Sequence, residues 1–400
     1  MNAPSSGIAV PSELVLNLAQ VDSSMLPIVG GKAANLGELI QAGLPVPPGF
    51  CVTTEAYRQV AASANIDFDA LAAVGSKGPA GSGPFPPSDH AGGNGVEALA
   101  LRAREALLGV DMPRAISRAV VESYQSLGEN VPVAVRSSAT AEDLPFASFA
   151  GQQDTYLQII GTEAVIGAVR HCWASLWTER AVVYRTNNGI DHRAVRLAVV
   201  VQRMVDAKVA GVLFTANPIT DHRRQAVLDA NPGLGEAVVS GAVNPDHFVV
   251  DTDGKQILDR RLGDKRVEVR SLPGGGTERV EKSADADRAC LTDDQILALA
   301  ELGDRVEKHF GAPQDIEWAI DSAGKLWLTQ SRPITTLFPL PKPRVALAAK
   351  PGEENLRAYF CFSLAQGLTR PITPMGLAGF RLLASAVARL LGFAVEDAFD

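Results

Sequence analysis

Several charged and amide side chains in this sequence sit where they interrupt apolar runs, and their types suit phosphate chemistry. Arg136 follows VPVAV, residues 131–135. A guanidinium delivered from a buried strand costs desolvation unless an anion or a carboxylate meets it. Ser137, Ser138, Ala139 and Thr140 behind it are small, so a bulky ligand can approach the backbone. An ion pair with Glu142 or Asp143 is the structural alternative. In SFAGQQDTY, Gly151 has no side chain and the Thr155 hydroxyl can donate to phosphate. In VGGKAANLG, a glycine pair and Lys32 stand at the mouth of a helix, where backbone N–H groups and a full charge can hold an anion. That spacing is not the Walker pattern, and a surface lysine at a helix start explains it equally well. In DIEWAIDSAGKLWLTQSRP, residues 315–333, Glu317 and Gln330 can face the same side of two strands. They are hard oxygen ligands suited to Mg²⁺ beside phosphates. Arg332 lies on that face by the strand period of two and can neutralise a transferring phosphoryl group; a solvated hairpin face is the alternative. Gln202 ends LAVVVQ and either bonds an adenine edge or caps a strand.

The elements that must position these groups are legible from pattern. GGKAANLGELIQAG reads as a glycine turn entering a helix, with Ala34, Leu36, Leu39 and Ile40 apolar and Gly43 at its end. Residues 96–128 read as helical, and EAVIGAVRHCWASLWTERAVVYRTN as one long helix. VPVAVRSS is a strand running into a loop, and TYLQII a second strand. VRLAVVVQRMV and AGVLFTANP are β-branched runs that fit a central sheet. AVLDANPGLGEAVVSG is a strand, a Gly-rich loop and a helix start, and TDGK is a hairpin turn. Residues 291–311 form an amphipathic helix between Thr292 and Gly311. PGGGTER, residues 273–279, reads as a loop tip, and neither it nor His171, His222, His247 or His309 is assigned a role.

At 400 residues the chain exceeds one compact core. Residues 74–95 are Gly/Pro/Ser-rich and read as a flexible insertion. FPLPKPRVALAAKPG marks a boundary near 338–345, after which residues 346–400 begin a mostly helical unit that stops as if cut short. A net charge of −8 with intermixed signs argues against a nucleic-acid partner. The four cysteines are far apart, which fits a reducing compartment. There is no signal-peptide pattern, and GLAGFRLLASAVARLLGF carries Arg381 and Arg389, as a core-packing helix would. A cytoplasmic location without a membrane partner is therefore expected.

In this order, GGKAANLGEL, AVRSSATAEDLPFASFAGQQDTYL, GVLFTANP, GLGEAVVSGAVNPDHF and DIEWAI…LWLTQSRP resemble the ATP-binding domain of phosphoenolpyruvate-synthase-type dikinases, over about residues 10–337 apart from the insertion. RHCWASLWTERAVVYR and YFCFSLAQGLTRPITPMG resemble rifamycin phosphotransferases most. The resemblance implies an α/β, ATP-grasp-like domain in two subdomains, 1–200 and 201–337, followed by the start of an acceptor-binding domain at 346. It implies that Lys32, Arg136, Gly151, Thr155, Gln202, Glu317, Gln330 and Arg332 are ATP-site positions, with Glu317 and Gln330 near Mg²⁺ and Lys32, Arg136 and Arg332 catalytic. In such proteins the β-phosphate of ATP passes to a histidine on a mobile domain and then to a small acceptor, rifamycin or pyruvate. None of the six histidines here has the Gly-rich surroundings of that phosphohistidine. Nucleotide binding without complete turnover is therefore expected of these residues. A non-catalytic nucleotide-binding module is the remaining alternative.

Overall fold

The computed structural model describes residues 13–64, 66–67, 70, 93–140, 143–144, 147–148, 155–187, 190–193, 195–281 and 288–337. The chain divides into two compact units, Met1–Phe338 and Pro339–Asp400. The second, where the boundary segment and helix-rich unit are expected, lies outside the described residues, as do residues 74–92 of the expected insertion.

The first unit holds two larger antiparallel sheets among the described residues, so the two apolar runs read as fitting a central sheet do not share one. β1 (Val15–Asn17), β2 (Gly49–Val52), β7 (Leu197–Arg203), β3 (Val133–Ala139) and β6 (Thr155–Ile159) lie side by side in that order. The second sheet runs β11 (Gln256–Arg261), β10 (Asp246–Asp251), β9 (Gln225–Pro232), β8 (Ala207–Phe214), β14 (Gln314–Asp321) and β15 (Leu326–Pro333). The two runs are β7 and β8, one in each sheet. Among the described residues two small ribbons accompany them: β4 (Asp143–Leu144) with β5 (Ala147–Ser148), and β12 (Val267–Ser271) with β13 (Thr277–Glu281). The fold is mixed α and β.

β7 reads LAVVVQ without alternation because both of its faces are covered. Leu197, Val199 and Val201 pack with residues of α2 (Thr54–Ser63), α3 (Gly93–Gly109), α4 (Arg114–Ser126) and α5 (Thr162–Ala174). Ala198 and Val200 on the other face pack with α1 (Leu26–Gln41). α1 also meets the second sheet, since Asn35 Nδ2 donates to the Ser331 carbonyl at 2.9 Å. One face of that sheet is covered by α8 (Asp293–Phe310), which shares its core with α1 and buries Ile296, Leu299, Leu302 and Val306. Thr292 and Gln295 form the capping box of α8, and Gly311 ends it in the left-handed conformation.

The expected long helix over 163–187 is broken. α5 gives way to a 3₁₀ turn at Ser175–Trp177 and then to α6 (Glu179–Asn187). Ser175 Oγ donates to the Cys172 carbonyl, and Thr178 Oγ1 accepts from Ala181 N while its backbone is extended. These local side-chain bonds compete with helix continuation, which the apolar period does not register. The turn places Arg185 in the core. Its Nε donates to His192 Nδ1 at 3.0 Å, its Nη2 to the Leu176 carbonyl at 2.6 Å, and its guanidinium lies over Trp177. Burial, and then the charge of Arg185, hold the His192 imidazolium below its ordinary value of 6.5, so the ring folds neutral. A folded pKa below the unfolded one stabilises the protein above the unfolded value and loses that contribution as pH falls below it. The urea midpoint is therefore expected to drop on acidification below about pH 6.5, the unfolded histidine pKa. His192→Asn, which keeps an acceptor toward Arg185 but cannot titrate, should flatten the dependence. An identical pH slope in that variant would contradict this assignment.

Among the described residues, no helix is long and apolar enough to cross a membrane.

Candidate functional site

The two sheets face each other across a cleft of about 230 Å³. One wall is Ala134 and Arg136 from β3 with Thr155 and Leu157 from β6. The floor is the β7–β8 connection from Gln202 to Val205. The opposite wall is Glu317, Thr329 and Gln330 from β14 and β15, with Leu234 and Glu236 at the start of α7 (Glu236–Val239). Five of the residues singled out from the sequence therefore line one cavity: Arg136, Thr155, Gln202, Glu317 and Gln330.

Strand alternation sets the direction of Arg136. Val133, Val135 and Ala139 join the helical core, whereas Ala134, Arg136 and Ser138 face the other way. Arg136 lies in the middle of β3, paired with Val200 and Thr155, not at its exit as the sequence suggested. The strand continues because Ser137, Ser138 and Ala139 are small enough to be buried as β3 passes α1. The Arg136 side chain crosses the cleft. Nη1 donates to the Thr329 carbonyl at 3.1 Å, Nη2 lies 3.5 Å from Glu317 Oε2, and Nε is buried without a hydrogen-bond partner. Its carboxylate partner is thus Glu317 from the second sheet. Glu142 and the side chain of Asp143 lie outside the described residues.

Glu317 and Gln330 stand directly opposite each other on β14 and β15, just before a bulge between Glu317 and Trp318. Asp315 and Arg332 form the next pair on the same face. Arg332 Nε donates to Asp315 Oδ2 at 2.8 Å, and Arg332 is not among the residues walling the cleft. Burial pushes the Asp315 carboxyl above its ordinary range, against the opposing pull of Arg332. Asp315 was missed in the sequence, although the D-x-E spacing that puts it on the face of Glu317 was available. Gln202 is buried, and its Nε2 donates to the Pro47 carbonyl at 3.3 Å.

Lys32 is half-buried and not part of the cleft wall. α1 is two helical segments joined by a kink at Gly30, which adopts φ 73°, ψ 168°, so the glycine pair is the turn from which the segment carrying Lys32 starts, as the sequence indicated. A Cβ at Gly30 would lie 2.2 Å from the Ser138 carbonyl oxygen. This close approach lets Ser138 Oγ donate to the Val29 carbonyl and accept from Ala33 N. Ala33, the residue after Lys32, is thereby bonded to Ser138, two residues along β3 from Arg136. Gly151 lies outside the described residues. Two histidines without a sequence-level partner have one in the fold: His247 Nδ1 lies 2.7 Å from Asp229 Oδ1, and His309 Nε2 3.2 Å from Glu38 Oε2. Among the described residues no group of three or more His, Cys, Asp or Glu side chains could hold a metal ion by itself.

A cleft between two sheets, crossed by a partly satisfied arginine and edged by a glutamate–glutamine pair, carries groups that suit a phosphate-bearing ligand. The chain belongs to the family described as pyruvate phosphate dikinase, AMP/ATP-binding domain, which matches residues 26–346. It is 44% identical over 375 residues to a rifampicin phosphotransferase of Streptomyces sp, covering 93% of this chain and 41% of the relative. A rifampicin phosphotransferase of Bacillus subtilis (strain 168) is 42% identical over 386 residues, 95% of this chain and 42% of the relative. A phosphoenolpyruvate synthase of Pyrococcus furiosus is 43% identical over 352 residues, 80% of this chain and 43% of the relative. The chain thus spans about two fifths of the length of these relatives.

Proposed function

We propose that residues 1–337 are the ATP-grasp-like nucleotide domain of an ATP-dependent phosphotransferase of the rifampicin-inactivating type. The subdomains would be 1–200 and 201–337, with a linker at 338–345 and an acceptor-binding domain beginning at 346. The observation that carries this reading is Arg136: a partly buried guanidinium whose Nε is buried and unmatched, spanning the cleft in a chain so similar to rifampicin phosphotransferases. Phosphoenolpyruvate synthase is the second reading, favoured by the comparable identity to the Pyrococcus furiosus protein.

In this reading the adenine lies toward Gln202 and the phosphates toward Arg136, Thr155 and Lys32, with Gly151 leaving room for them. Arg136 orients the phosphates and neutralises their charge, and Thr155 donates its hydroxyl. Asp315 holds Arg332 in a fixed pose beside Glu317, from which Arg332 can meet the transferring group. Glu317 and Gln330 fit Mg²⁺, because two adjacent hard oxygens suffice when phosphate oxygens complete the shell. When bound, the ion supplies charge to the phosphate oxygens. No nucleophile is needed in this domain, since positioning and charge neutralisation account for such transfers. The β-phosphate would pass to a histidine of a further domain and then to rifamycin or pyruvate, with AMP as the leaving group and the γ-phosphoryl group transferred to water as phosphate.

The test is to incubate the complete product of this reading frame with Mg·ATP and either rifampicin or pyruvate, following phosphorus NMR. AMP with a phosphorylated rifamycin is the expected result. Phosphoenolpyruvate would establish the second reading, and absence of AMP formation with both acceptors would overturn both.

A further inference from the structure

The Gly-rich tip at 273–279 has no part in the site described above, yet it reaches across the cleft. The base of the β12–β13 hairpin is tied to the end of β9 and the turn after it: Leu234 N donates to the Val269 carbonyl at 2.9 Å, and Asn231 Nδ2 to that of Val267 at 2.9 Å. Its tip meets the first sheet. Gly276 N donates to the Gln158 carbonyl at 2.8 Å, and Gln158 Nε2 donates to the Leu272 carbonyl at 3.3 Å. Leu157 of β6 packs with Leu234, Val267 and Val269, so an apolar contact joins the hairpin base to the strand that the tip also meets.

The point that the tip holds is irregular. Val133 pairs with Ile159 but Val135 with Tyr156, so β6 carries one residue more than β3 over this span. Gln158 is buried within that bulge at φ 56°, a conformation that side chains other than glycine rarely adopt. β6 is an edge strand paired only with β3, and its Thr155 and Leu157 form a cleft wall. The bulge therefore has one neighbour in its sheet and a second in the hairpin.

We propose that the β12–β13 tip is a clasp on the Gln158 bulge that sets the closure of the cleft, with Gln158 as its positioning residue. The clasp holds Thr155 and Leu157 against the bound group, and its release lets the wall withdraw. Only Gly276, at φ 77°, lets the tip present its N–H to Gln158 in this conformation. The proposal rests on the nucleotide reading of the cleft.

Two substitutions release the clasp in different ways. Gln158→Glu keeps the length of the side chain but has no amide donor for Leu272. Gly276→Pro removes the backbone donor and cannot adopt the positive φ. Gln158→Asn tolerates that φ and retains a donor, so it serves as the conservative rescue. Dissociation of a Mg²⁺-bound fluorescent ATP analogue, chased with ATP, should be faster in the first two variants. The expected increase is about fivefold, the scale of one neutral hydrogen bond. Hydrogen exchange of the 155–159 amides without nucleotide should accelerate in the same two variants and stay close to the unsubstituted rate in Gln158→Asn. Tight binding with unchanged release and unchanged exchange in both variants would overturn the clasp alone. No binding by the unsubstituted chain would overturn the nucleotide reading, and the proposal with it.

Discussion

Alanine at Arg136 is expected to weaken Mg·ATP binding at least about tenfold, or ~1.4 kcal/mol. The guanidinium enters the cleft from β3, and its Nη1 and Nη2 contact the opposite sheet at the Thr329 carbonyl and Glu317. Its Nε remains for a ligand oxygen. Alanine removes the charge and also the tie across the cleft, so both affinity and closure should suffer. Glu317→Ala should weaken binding by a similar factor, through loss of a magnesium ligand and of the Arg136 partner. Because the two side chains touch, the double variant should lose less than the sum of the single losses. Calorimetric titration of Mg·ATP into the four proteins measures this cycle. Unchanged affinity and turnover in both single variants would remove Arg136 and Glu317 from the site.

Asp246→Ala is expected to cost about 3–5 kcal/mol of stability, the range for stripping one partner from a buried ion pair. Asp246 and Lys265 are both almost completely buried, with Lys265 Nζ 2.6 Å from Asp246 Oδ1 and 2.7 Å from the Gly263 carbonyl. Asp246 also accepts from Gly263 N at 3.0 Å and Cys290 N at 2.8 Å. One carboxylate thus organises the chain after β11 and the approach to α8. Its loss strands a buried ammonium and two backbone donors. Adding Lys265→Met to Asp246→Ala should recover part of the loss, since the uncompensated charge disappears while most of the side-chain volume stays. Urea unfolding followed by tryptophan fluorescence gives both values. A single variant within 1 kcal/mol of the parent, far below the range for a broken buried pair, would show that this pair is not what holds the segment.

Much of this protein was legible because short-range patterns carried it. The Thr292 start and Gly311 end of α8 and the TDGK hairpin are local choices that the fold leaves intact. The facing of Glu317 and Gln330 also followed from period two and a tight turn. Other readings failed where a distant partner decided. The helix over 163–187 has a continuous apolar period, but Ser175 and Thr178 bond locally and turn Arg185 inward toward His192. The glycine pair before Lys32 was legible as a turn into a helix, but the approach of Ser138 of β3 to Gly30 was not.

By itself, then, the sequence determined the residue types of the cleft, the faces on which Glu317 and Gln330 stand, and the family resemblance that links them to ATP. Strand alternation and turn chemistry act over a few residues and need no further context. Only the tertiary structure decided that β7 and β8 part into two sheets, that Arg136 reaches Glu317 nearly two hundred positions on (193 to Thr329), and that the tip after β12 closes on Gln158. Each of those contacts joins segments far apart in the chain, and the apolar runs on either side are compatible with many pairings. The choice among them is made by how α1 and the helices fill the space between and beside the sheets, a property of packing as a whole.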